Sequence, residues 1–128
     1  VEIRNAGLLG PDYRTVLEKH GVTHVYNHWS YVLSLAEQHQ RMERFAALFT
    51  VLRLLTPLKM TYEGAKKRAE PYTKIVEELP EIRRDTLGLV KQAVGENRKE
   101  YVLVNNRSEG NAPLTIQALR HALQAAES

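Results

Sequence analysis

Glu2 and Arg4 lie two residues apart, and Arg53 interrupts an otherwise apolar run, Val51 to Leu54. A carboxylate set between guanidiniums is held ionised, and guanidiniums grip a phosphate or carboxylate through paired N–H donors. One negative charge against two positive ones leaves a spare cation, which suits a small anionic, phosphate-like ligand. The competing reading is a buried ion network with a purely structural role.

Asn27, His28 and Trp29 follow one another in a second strand-like run, and Asn105 and Asn106 end the fourth. His28 offers a titratable ring for base catalysis or ligation. His24 shares its strand parity but would lie about 13 Å away at roughly 3.3 Å per residue, so the two cannot hold one metal ion. Successive strand residues point to opposite faces, so at most one of Asn105 and Asn106 faces a given site. Asparagine is also a common turn residue. Trp29 and Tyr31 suit either stacking on a base or sugar, or packing at a rim. Gly110 to Pro113 precedes a helix whose first N–H groups either attract an anion or are simply capped. No P-loop, dinucleotide fingerprint, zinc-binding histidine run or serine elbow is present. No catalytic residue, cofactor or metal is assigned from these residues.

The elements that must position these side chains alternate. Strands are expected at Val1 to Arg4, Val22 to Trp29, Leu48 to Leu54 and Glu100 to Asn106. The first helix starts at Pro11 and stops at Gly21, a residue suited to a helix C-cap. Ser34 and Glu37 form a capping-box pattern for a second helix toward Arg44. Pro71 and Pro80 divide the long segment from Thr61 to Arg98, because proline cannot continue a helix. Ile82, Leu89, Val90, Ala93 and Val94 give its last piece an apolar side. A final helix after Pro113 buries Leu114, Ala118, Leu119, Ala122 and Leu123. Strands separated by helices pair in parallel, because a parallel neighbour is reached through a crossover. The reading is α/β: four consecutive βα units, half of a (β/α)8 TIM-like barrel. Charged residues on one face of the first strand favour a barrel mouth over an open doubly wound sheet.

The length of 128 residues fits a single domain, and 43% hydrophobic with 26% charged residues describes a globular chain. No cysteine is present, which excludes disulfides and thiolate chemistry and fits a reducing, cytoplasmic setting. No apolar stretch reaches the length of a membrane span. The net charge is +3. The basic runs Lys66–Lys67–Arg68 and Arg83–Arg84 read as solvated helix faces; a nucleic-acid surface needs a denser stripe. A strand-like run at the very first residue suggests that the chain continues upstream.

Three motifs point one way. Val1-Glu2-Ile3-Arg4-Asn5 resembles the acidic–x–Arg strand midway through the YecE-like family (domain of unknown function 72). Val51-Leu52-Arg53-Leu54 resembles that family's next Arg-bearing strand. Tyr101 to Asn106, running on through Arg107-Ser108-Glu109-Gly110-Asn111-Ala112-Pro113, is similar to its C-terminal signature of an apolar strand, a paired Asn and Gly-x-Ala-Pro. The third motif is the most specific. The resemblance spans essentially the whole chain and implies the C-terminal half of a barrel whose biochemical role is not established. In a barrel the site lies at the C-terminal ends of the strands, and by strand position the ligand-binding candidates are Glu2, Arg4, Asn27, His28, Arg53, Asn105 and Asn106, the last two favoured also by the resemblance.

A half barrel exposes two sheet edges and an apolar face, so the chain is expected to pair with itself or with a missing N-terminal half. Binding of nucleic acid, or a fragment with no activity of its own, are the alternatives to a small anionic ligand.

Overall fold

In a computed structural model, residues 1–42 and 47–127 are described. After a 3-10 turn at Ala6–Leu8 come α1 (Pro11–His20), β1 (Val25–His28), α2 (Leu35–Arg41), β2 (Phe49–Leu54) and α3 (Tyr62–Ala69). There follow α4 (Pro80–Gly95), β3 (Lys99–Val104), a single-turn α5 (Asn106–Glu109) and α6 (Ala112–Glu127). No helix among the described residues is long and apolar enough to cross a membrane.

The local chemistry explains these boundaries. Pro11 sets the first turn of α1, and Gly21 closes it at φ 63°, a left-handed conformation that costs glycine little. Ser34 Oγ accepts the Glu37 N–H at 3.2 Å, as its capping pattern predicts. The Glu37 carboxylate then takes the Ser34 hydroxyl at 3.1 Å. Helix α2 stops at Arg41; its expected extension toward Arg44 lies outside the described residues. Thr61 caps α3 through the Gly64 N–H, and Pro80 opens α4.

The sheet is parallel, in the order β1-β2-β3, with Val25 beside Val51 and Phe49 beside Lys99. One face carries Tyr26, Leu52, Leu54, Val102 and Val104, and packs on Leu35 of α2, Ile82 and Leu89 of α4, and Leu119 of α6. A second small cluster joins Leu9, Leu17 and Met42. The opposite face holds Asn27 and Arg53, with Phe49, Tyr101 and Leu103 exposed.

Two expected stripes differ at single positions. Thr115 is buried where Leu114 was expected, and Thr86 is buried while Val94 is exposed. Both threonines lie on the inward side of their helices, so the sheet, rather than apolarity alone, selects the buried face.

One expected strand does not form: Val1 to Arg4 is not a strand, and the chain bends at Arg4. Its Val1 carbonyl accepts the Val25 N–H at 2.7 Å, as a ladder would. One step further along β1, the buried Gln38 side chain takes the edge. Gln38 Nε2 donates to the Asn27 carbonyl at 2.7 Å, and Gln38 Oε1 accepts the Asn27 N–H at 3.4 Å. The Asn27 side chain donates to the Ile3 carbonyl instead. Side-chain amides thus replace the second rung of the ladder.

Candidate functional site

The open face of the sheet brings together three of the predicted residues. Arg53 Nη1 donates to both Glu2 oxygens, at 2.9 and 3.0 Å. Arg4 reaches Glu2 Oε2 from Nη2 at 3.2 Å and from Nε at 3.4 Å. The Arg4 guanidinium also lies over the Trp29 ring, 4.6 Å from its centroid, a cation–π contact that fixes its plane. The Glu2 side chain keeps 19% of its exposure, against 44% for Arg4 and 40% for Arg53. The carboxylate is therefore tucked in while both cations face solvent. The remaining donors of both guanidiniums have no protein partner among the described residues.

Asn27 is the β1 residue paired in register with Arg53, on the same face. Its amide nitrogen is engaged by Ile3, and its Oδ1 is buried without a donor. A buried acceptor left in that state costs about 1–3 kcal/mol.

The other predicted residues lie apart from this cluster. His28 follows Asn27 and so points to the helix-covered face. It is 7% exposed, its Nδ1 has no partner, and burial pulls its pKa down to about 4. Its ring is neutral at pH 7. Asn105 Oδ1 caps the Arg107 N–H at 2.9 Å, and Asn106 Oδ1 accepts the Ala112 N–H at 2.8 Å. Both side-chain oxygens are occupied by the loop that closes the last strand. Asn111 Oδ1 accepts the Leu114 N–H, so plain capping accounts for the start of α6. No group of three or more histidine or acidic side chains with metal-binding geometry occurs among the described residues.

The deciding comparison is with protein families: the model described as "Protein of unknown function DUF72" matches residues 1–128. The chain belongs to the DUF72 family. No curated protein and no solved structure matches it. Membership extends over all the motifs on which the sequence resemblance rests, and it brings no established activity.

In this DUF72 chain, the sequence did not single out the most complete polar centre, which is built on Glu109. Glu109 is 1% exposed. It receives Arg83 through two bonds of 2.9 and 2.8 Å, the Leu79 N–H at 2.7 Å and the Thr115 hydroxyl at 2.7 Å. Burial alone would raise its pKa, but these donors together hold it below the usual carboxylate value. The centre ties α4 to α5 and α6. Gly110 makes the turn beside it at φ 125°, where a Cβ would collide with the Lys74 carbonyl and lie 2.8 Å from the Val76 nitrogen. The signal available in sequence was the Glu109-Gly110 pair inside the most specific motif.

Proposed function

We propose that the open face of the sheet binds a small anionic, phosphate-like ligand, held by Arg4 and Arg53, which share the single Glu2 carboxylate. One observation carries the reading: a single tucked carboxylate is shared by two solvent-facing guanidiniums that retain unused donors. Phosphate, sulfate and sugar phosphates are expected to raise the melting temperature, by the equivalent of about 2.7 kcal/mol at a hundredfold excess over Kd. Arg53→Met should abolish the shift. If none of these anions stabilises the wild-type chain, the reading fails and a half barrel without activity of its own takes its place.

The same proposal extends to the finer architecture: four βα units forming half of a (β/α)8 barrel, with the Val1 to Arg4 segment, bonded to β1 through Val1 alone, at the place of the first strand. The sequential strand order, the helices on one face and the exposed Phe49, Tyr101 and Leu103 on the other support it. In a barrel the uncovered face would be the interior. A second half barrel, from another copy or a preceding segment, would cover it. Light scattering at micromolar concentration is expected to detect association; a monomer that unfolds cooperatively would count against the half-barrel reading.

Nucleic acid has weaker support. Arg68 pairs with Glu77 and also donates to the Ser108 carbonyl, and Arg83 is committed to Glu109. The two basic runs therefore do not combine into a free cationic stripe.

A further inference from the structure

On the helix-covered side, at the C-terminal end of β1, a cavity of about 380 Å³ opens between the loop after β2 and the first turn of α4. Its lining carries three carboxylates, Glu77, Glu78 and Glu81, and no lysine or arginine. Glu77 is paired with Arg68 at 3.1 Å. Glu78 lies 3.8 Å from Arg83, whose guanidinium is already bound through two bonds to Glu109. Glu81 makes no hydrogen bond or ion pair among the described residues. The charge left over is negative.

A helix N-terminus nearby would favour an anion, but the first turn of α4 keeps only the Glu81 and Ile82 N–H groups free, in a cleft lined by the Glu77, Glu78 and Glu81 carboxylates. Pro80 has no N–H to offer, and the Leu79 N–H is bonded to the Glu109 carboxylate. The second observation is His28, more than nine-tenths buried in the cavity wall, with neither ring nitrogen bonded to a described residue. A buried ring nitrogen without a partner is a vacancy for a donor. Leu58, Met60 and Ile82 supply an apolar wall beside it.

We propose that this cleft is a second binding site, for a small organic cation: a primary amine or guanidinium on a short aliphatic stem. The stem packs on the apolar wall, the charge meets the glutamates, and an N–H is donated to the neutral His28 ring. Burial, which keeps that ring unprotonated, supports this arrangement. The site is separate from the anion-binding face, because Asn27 and His28 point to opposite sides of the sheet.

The test is calorimetric titration of agmatine into the full chain at low ionic strength, together with the imidazole NMR signals of His28. Saturable binding that shifts the His28 signals is expected. Glu81→Gln, a substitution at an exposed position, should weaken it about tenfold, the loss of one charge-assisted contact. Arg53→Met should leave it unchanged. The proposal is overturned if millimolar agmatine shows no saturable binding, if Glu81→Gln binds as tightly as wild type, or if Arg53→Met abolishes binding.

Discussion

Glu2 and Glu109 each receive guanidinium donors, yet they sit in opposite conditions. Around Glu109, one arginine, one hydroxyl and one backbone N–H meet both oxygens, and the carboxylate is sealed from water. Around Glu2, two arginines share one carboxylate and keep donors turned to solvent. The first arrangement is closed and leaves nothing for a ligand. The second is open and electrostatically incomplete. Identical side-chain chemistry therefore serves tertiary docking in one place and offers recognition in the other, and the number of arginines per carboxylate, with their exposure, separates the two.

That contrast is most directly broken at Glu109. Glu109→Gln places a donor against Arg83 or the Leu79 N–H, and should lower stability by about 3 kcal/mol, the range for removing one partner of a buried pair. Urea unfolding would measure it. A loss under 1 kcal/mol would mean that the Arg83 centre is not holding α4 to α6.

A smaller effect is expected at Glu100, a third carboxylate and the reverse of both. Burial raises its pKa to about 7, and the nearby Arg98 and Thr50, which bond each other at 2.6 Å, offset only part of that. Neither of its oxygens makes a good hydrogen bond. Because the folded state favours its protonated form, its contribution to stability is full below about pH 4.5 and is lost as the pH rises through about 7. Glu100→Gln should stabilise the chain by about 1–2 kcal/mol at pH 8, after allowance for partial solvation, and change little at pH 4. His24 and His28 act in the other direction. Burial lowers both to about 4, so the stability present above pH 6.5 is lost as the pH falls toward that value. Equal urea midpoints for Glu100→Gln and wild type at pH 8 would remove this account of Glu100.

The smallest effect on stability belongs to Glu2. Glu2→Gln should shift the unfolding free energy by less than about 1 kcal/mol, as for exposed ion pairs, while tightening phosphate binding by freeing both guanidiniums. Weaker phosphate binding in this variant would show that Glu2 positions the arginines more than it competes for them.

Much of this was readable in the chain itself. Pro11, Gly21, Ser34 and Pro80 mark helix ends through backbone geometry and capping, which are local properties. The runs that became β2 and the second half of β3 are rich in apolar and β-branched residues, β1 is half polar, and the intervening helices require all three to be parallel. The pairing of Glu2 with Arg4 and Arg53 follows from charge complementarity once the strands are adjacent. Family membership also rests on motifs that sequence alone displays.

Only the tertiary structure decided the rest, because it depends on which groups compete for the same partner. Val1 to Arg4 lost its second ladder rung to Gln38, a residue with no strand signal of its own. Asn105 and Asn106 used their oxygens to close a loop. Pleating put Asn27 and His28 on opposite faces, so one sequence run faces both an open cationic surface and an acidic cleft. Local sequence sets what each residue prefers; packing sets which preferences are met at the same time.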